Sequence, residues 1–338
     1  MENPFTSFNL WAGLFGGLAL FLFGMDVMTH ALKSAAGDYI KDILAKMTRN
    51  RFVGMGMGAF VTAIIQSSSV TTVIMVGFIS AGLMTMSQSV AVIIGANIGT
   101  TITAQILAFK VTKLALPLIA AGFLVSFTAK SEHWRQGGSI VLGLGMVFFG
   151  MAIMSDALYP LRSYEPFIQF MVSMQSAFLG AAIGALFTAV VQSSSATTGI
   201  LIVLASQGLI SLETAIAIAM GANIGTCVTA GLASIGKPRE AKRAALVHTI
   251  FNVAGVALWI GFIPQLAALA QWMSPGAEGL SGMDKLAAEM PRQIANVHTF
   301  FNLANALLFI GFTSQLARLV VWLLPDQPVP PEKAMLPK

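Results

Sequence analysis

Long apolar runs separated by short polar breaks fill the chain from Leu10 onward, and few of the runs carry a charge. A helix needs about 20 apolar residues to cross a bilayer. On that scale the pattern predicts spanning helices at about 10–30, 88–108, 113–130, 138–158, 213–235, 241–263 and 294–322. Two further apolar stretches, 52–83 and 178–209, are broken in the middle by Gln-Ser-Ser-Ser. Each arm of these stretches holds about 14 residues, too few to span, and the 32 residues of both arms exceed one span. Serine runs favour helix caps over helix interiors. Each stretch is therefore expected to be a re-entrant helical hairpin with its polar motif at the tip. More polar connectors lie at 31–51 and 159–177, the first expected as an amphipathic helix on the inner membrane surface, and the Pro-rich tail 323–338 is expected to be disordered.

The pattern repeats at a fixed offset of 126 residues. GAFVTAIIQSSSVTTVI (58–74) matches GALFTAVVQSSSATTGI (184–200) at 11 of 17 positions, and GANIGT recurs unchanged at 95–100 and 221–226. Phe23-Gly24-Met25 likewise maps onto Phe149-Gly150-Met151, with no gap across the range. The fold expected is an all-α polytopic membrane protein made of two repeats, 10–130 and 136–263, with an additional C-terminal helix. With hairpins, each repeat crosses the membrane three times, so the second copy is inverted relative to the first. An N-terminus outside places 14 of the 19 Lys and Arg residues on the inner side, as the positive-inside rule requires. The expected location is the cell's inner (plasma) membrane, with a cytoplasmic C-terminus.

Composition supports this picture. Apolar residues are 56% of the chain and charged residues 10%, against about 25% charge in soluble domains. The net charge of +5 sits in short clusters between apolar segments, a topology signal and not a nucleic-acid signal. The one cysteine, Cys227, excludes an intrachain disulfide and reads as a small packed residue. The N-terminal segment lacks a basic region and a cleavage site, so Leu10–Met28 reads as a spanning helix and not a signal peptide.

The candidate chemistry lies at the hairpin tips. Inversion brings Gln66, Ser67, Ser68, Ser69, Thr71 and Thr72 toward Gln192, Ser193, Ser194, Ser195, Thr197 and Thr198 near the midplane. A broken helix leaves free N–H groups at the start of its second arm, which attract an anion. Hydroxyls there can donate to an anion, and their oxygens can ligate sodium. Residues 52–109, 178–212 and 214–236 contain no Asp, Glu, Lys, Arg or His. An anion in so apolar a setting needs co-bound cations, and with no carboxylate present to carry a proton, sodium is favoured. Asn97, Thr100, Thr101, Asn223 and Thr226 of the GANIGT helices are expected to line the opposite wall, and the GxxxG spacing to let helices approach closely. No phosphate-binding loop, metal cluster or nucleophile–base pair appears, so no enzymatic activity is expected.

Paired QSSS motifs, each followed by a GANIGT-type helix, make residues 10–263 resemble the type II sodium–phosphate cotransporter family in its bacterial branch. The resemblance implies inorganic phosphate as substrate and Na+ as co-transported ion, moved by alternating access. It assigns phosphate binding to Gln66–Ser69, Gln192–Ser195, Asn97 and Asn223. Sodium would fall to Ser68, Thr71, Thr72, Thr100, Thr101, Ser194, Thr197, Thr198 and Thr226. A carrier of another oxyanion or small carboxylate, or an anion channel, would suit the same tips. Asp26, one turn before His30, is a candidate for ion coupling, and Ala152 takes its place in the second repeat. His248 and His298 open the related runs HTIFN and HTFFN, which suggests two related helices lining a shared groove. The surrounding bilayer and a possible homodimer complete the expected partners, and no nucleic acid is among them.

Overall fold

The computed structural model describes residues 3–45, 50–80, 83–109, 112–173 and 176–325. The tail expected to be disordered lies outside them from residue 326 on, as do Lys46, Arg49, Lys110 and the loop positions 81–82. Within them the chain forms fourteen α-helices and no strand. In order these are α1 (Phe8–Ala45), α2 (Arg51–Ile65), α3 (Ser68–Ser80), α4 (Met86–Leu107), α5 (Ala115–Thr128), α6 (Glu132–Leu158) and α7 (Glu165–Ser173). There follow α8 (Ala177–Val191), α9 (Ser194–Ser206), α10 (Leu212–Ala233), α11 (Arg239–Trp259), α12 (Ile263–Met273), α13 (Gly282–Phe309) and α14 (Thr313–Leu323). Among the described residues six helical segments are long and apolar enough to cross a membrane: Phe8–Ala36, Met86–Leu107, Glu132–Ser163, Leu212–Ala233, Arg239–Met273 and Gly282–Leu323. The protein is a multi-pass membrane protein.

The duplication persists in three dimensions. Helices α2, α3 and α4 begin and end 126 residues before α8, α9 and α10. Their start signals recur too. Asn50 and Ser176 cap α2 and α8, while Thr85 and Ser211 cap α4 and α10, so equivalent polar side chains satisfy equivalent orphan N–H groups. Glycine sets how closely α2 packs on α4. A Cβ on Gly58 would stand 2.1 Å from the Val92 carbonyl oxygen, and one on Gly95 would stand 1.9 Å from that of Met55. Gly184 and Gly221 make the same approaches between α8 and α10. These contacts run 58 to 92, 95 to 55 and 99 to 59, so α2 and α4 lie side by side in the same direction. The short connection from Ser80 to Met86 returns α3 to the end where α2 began.

Helices α1 and α6 occupy equivalent places in the two repeats and pack against each other in opposite directions. Gly24 meets Gly143, and Gly17 meets Gly150. The 126-residue offset exchanges these two pairs, which is the behaviour of a two-fold relation. The same exchange governs the rest. Helix α3 packs on α10 and α11, whereas α9 packs on α4 and α13; α12 lies on α10, whereas α14 lies on α4. The pairs α11–α12 and α13–α14 share a plan: a long helix, a 3-10 turn Ile-Gly-Phe, and an 11-residue helix. The echo HTIFN/HTFFN thus extends into a second duplicated element, at an offset of 50 residues. The helix expected to stand outside the duplication is the counterpart of α11–α12, and it begins at Gly282 and not at residue 294.

Two other boundaries differ from expectation. The connector 31–51 is not a separate helix up to Ala45 but a continuation of α1, because no proline interrupts residues 31–45. The matching connector is broken: Pro160 ends α6 in a 3-10 turn, since proline removes the N–H that a continuing helix needs. The span expected at 113–130 consists of a 3-10 turn and a 14-residue helix, Thr112–Thr128 in all. Among the described residues it is one of the shorter apolar helices.

Candidate functional site

Each QSSS motif is a helix break with the same backbone. Gln66 and Gln192 both take φ 58 and ψ 25, the left-handed region, and are the non-glycine residues with positive φ among the described residues. That conformation costs an L-residue roughly 1–2 kcal/mol. Strain repeated at equivalent points is a mark of function. The Gln66 and Gln192 N–H groups close the first arms, each donating at 2.7 Å to the carbonyl of Thr62 or Thr188. The arms then turn back. Thr62 and Thr71 hydroxyls lie 2.8 Å apart, and Thr188 and Thr197 hydroxyls 2.6 Å apart. A continuous helix would hold residues nine apart about 13.5 Å from each other.

The second arms start with unspent donors. Ser67 Oγ accepts from the N–H of Val70, and Ser193 Oγ from that of Ala196, at 3.3 and 3.2 Å. The Ser68, Ser69, Ser194 and Ser195 N–H groups have no protein acceptor among the described residues, nor do the four hydroxyls of these serines. Ser68 and Ser69 are nonetheless only 4% and 5% exposed. Each tip therefore presents a compact set of N–H and O–H donors at the positive end of a helix dipole, within stretches 52–109 and 178–212 that carry no charged side chain. Hydroxyls of Thr72, Thr100, Thr101 and Thr226 donate to carbonyls of their own helices. Their oxygens keep lone pairs that can ligate a cation.

Other expected site residues divide. Among the described residues no hydrogen bond joins one tip to the other; the repeats meet where α3 packs on α10 and α9 packs on α4. Thr198 is buried between them. Asp26 stands apart, on an exposed face of α1 with its carboxylate 3.2 Å from His30 Nδ1. Asn223 Nδ2 donates to Asn302 Oδ1 at 2.9 Å, and His298 Nε2 lies 3.2 Å from Asn223 Oδ1. Asn97, its equivalent, donates only to Ile93 of its own helix.

Three features escaped the motifs. Thr103 donates its hydroxyl to Gln66 Oε1, which ties the first tip to α4. Its equivalent Thr229 has no partner, and Gln192 is exposed. Continuing the GANIGT register to 103 and 229 would have found both. The third is an arginine: Arg292 donates to Gln105 Oε1 at 3.0 Å, and its guanidinium lies 4.2 Å from the Phe109 ring centre. No spacing in the sequence links α4 to α13 at this point.

Two repeats with folded-back polar tips inside an apolar helix assembly define a membrane transport protein. The Na+/Pi-cotransporter family model matches residues 20–156 and 165–277, more than half of the chain. The chain belongs to this family. It is 32% identical over 259 residues to the uncharacterized protein YqeW of Bacillus subtilis, covering 76% of this chain and 84% of that one. It is 26% identical over 255 residues to YjbB of Escherichia coli K12, provisionally named an inorganic phosphate export protein, covering 75% of this chain and 47% of YjbB. With the rat sodium-dependent phosphate transport protein 2A it shares 24% identity over 380 residues, 73% of this chain and 60% of that protein. The chain thus spans about half to three fifths of the length of the relatives with a named substrate. No solved structure matches.

Proposed function

We propose that this protein is a sodium-coupled transporter of inorganic phosphate that works by alternating access. The observation that carries the proposal is the pair of tips with the same backbone and the same Gln-Ser-Ser-Ser sequence, each with unspent N–H and hydroxyl donors in a stretch without a charged residue. Phosphate is the anion named for the family and for two relatives. Ser67–Ser69 and Ser193–Ser195, with Gln66 and Gln192, hold the phosphate oxygens. Oxygens of Thr71, Thr72, Thr100, Thr101, Thr197, Thr198 and Thr226 hold sodium, whose charge offsets the cost of placing a multivalent anion in an apolar site.

The two repeats are inverted in the bilayer, and each hairpin enters and leaves on one side. The antiparallel packing of the equivalent helices α1 and α6 supports the first statement. The shared direction of α2 and α4, with α3 returning to their common start, supports the second. The basic-residue bias supports an N-terminus outside and residue 325 inside, in a membrane this reading takes as the plasma membrane. Asp26, exposed and paired with His30, takes no part in the anion site in this reading.

Radiolabelled phosphate uptake into proteoliposomes tests it. Saturable uptake driven by an inward sodium gradient, absent with potassium and resistant to excess sulfate or small carboxylates, is the expected result. Uptake that follows a proton gradient and ignores sodium would overturn the coupling. Inhibition by another oxyanion with no phosphate movement would overturn the substrate.

A further inference from the structure

The histidines of HTIFN and HTFFN remain unexplained by phosphate or sodium binding, and they differ in one respect. His298 on α13 is bonded to Asn223 of α10, which also bonds Asn302, so α13 and α10 are held together by a buried His–Asn–Asn clasp. The equivalent set is His248 and Asn252 on α11 with Asn97 on α4. None of its cross-helix hydrogen bonds is formed. Asn97 donates to its own helix, and both ring nitrogens of His248 lack partners although the residue is 0% exposed; Asn252 Nδ2 bonds the His248 carbonyl just as Asn302 Nδ2 bonds that of His298. Leaving both nitrogens of a buried imidazole unpaired is costly, which favours an arrangement in which this ring is paired.

An independent asymmetry points the same way. Beside α11, where the clasp is unmade, a cleft of about 260 Å³ opens between α3 and α10 and reaches Thr72 of the first tip. Ser234, Lys237 and Ala241 line it as well. The equivalent groove beside α13, where the clasp is made, is shut: Ile202, Val203, Leu107 and Ala108 pack there with Phe21 in one buried cluster.

We infer that the two His–Asn–Asn sets are alternating clasps of the GANIGT helices. The one made by His298, Asn223 and Asn302 holds its groove closed. That made by His248, Asn97 and Asn252 forms only in the opposite state, when the cleft at Thr72 closes and the groove at Thr198 opens. His248 and His298 are positioning residues and touch neither ion. The inference rests on the transport reading given above, but its test does not require phosphate.

The test is cysteine labelling by a charged thiosulfonate on purified protein, with Val76→Cys in the open cleft and Ile202→Cys in the shut groove. Buried Cys227 alone serves as background. His298→Ala removes one neutral hydrogen bond, that to Asn223, from the present state, so labelling at Ile202→Cys should rise up to about tenfold and that at Val76→Cys should fall. His298→Gln, which can still donate to Asn223, should restore the parent rates. His248→Ala should act in the reverse sense and slow labelling at Ile202→Cys. Both substitutions shifting the two rates in the same direction, or neither shifting them, would overturn the inference. If His298→Ala does not assemble, the decision falls to His248→Ala, whose ring makes no hydrogen bond here: an unchanged rate at Ile202→Cys overturns it. Sodium-dependent uptake by the parent protein judges the transport reading separately.

Discussion

At the scale of residues, the proposed site turns on two glutamines in a conformation that suits glycine. Gln66→Gly removes the strain and the side chain together, so the two contributions separate. The variant should melt close to the parent, because relief of strain at φ 58 offsets the lost Thr103 hydrogen bond, while sodium-dependent uptake falls about tenfold or more through loss of the amide that meets Thr103. A variant that melts lower with full uptake would make Gln66 structural. The threonine pair behind each tip makes a different prediction. Thr197→Val strands the buried Thr188 hydroxyl, which should cost about 1–3 kcal/mol in detergent unfolding, and adding Thr188→Val should recover part of that loss. The donors at the tips were legible in the sequence because QSSS breaks two apolar runs at matched positions. The rotamers were not. That Gln66 folds onto Thr103 while Gln192 stays exposed depends on packing between helices, and no local pattern encodes it.

At the scale of elements, the helix pairs α2–α4 and α8–α10 are defined by what their glycines leave out. Gly95→Ala puts a methyl group 1.9 Å from a backbone oxygen that no rotamer change can move aside, so the helices must separate and the yield of folded protein should collapse. Gly56→Ala, on the same pair but with nothing within 4 Å, should be neutral or stabilise α2 by about 0.8 kcal/mol through helix propensity. Thermal melts of the two variants give the comparison, and equal behaviour would remove close packing as the reason for the GxxxG spacing. The same physics explains which elements could be read in advance. Breaks written in Gln-Ser-Ser-Ser were visible as breaks. The continuation of α1 to Ala45 was not, because a polar connector of helix-forming residues has the same composition whether it is a separate helix or an extension. The pairing of α11–α12 with α13–α14 showed in sequence only as the HTIFN/HTFFN echo; the shared Ile-Gly-Phe turn makes it an element-level match.

At the scale of the whole molecule, the two-fold exchange of packing partners predicts sidedness. Leu83, just before α4, and Glu213, at the start of α10, occupy the starting ends of equivalent helices, and both are exposed. Inversion places them on opposite faces of the membrane. A membrane-impermeant thiol reagent should label Leu83→Cys and Glu213→Cys from opposite sides of oriented vesicles; labelling from one side would refute the inverted arrangement. The duplication itself was legible from the 126-residue offset, and the labelling tests the inversion that an odd number of crossings predicts. The exchange of α3 and α9 between repeats was not legible, because it arises from long-range packing.

The central claim is that both tips contribute to one sodium-dependent phosphate site. Equilibrium binding of radiolabelled phosphate to the purified protein tests it without any need for transport. The account predicts saturable binding in sodium and none in potassium, lost in Gln66→Ala and equally in Gln192→Ala, but kept in Gly56→Ala. Binding that survives either tip substitution, or that is the same in potassium, would contradict it.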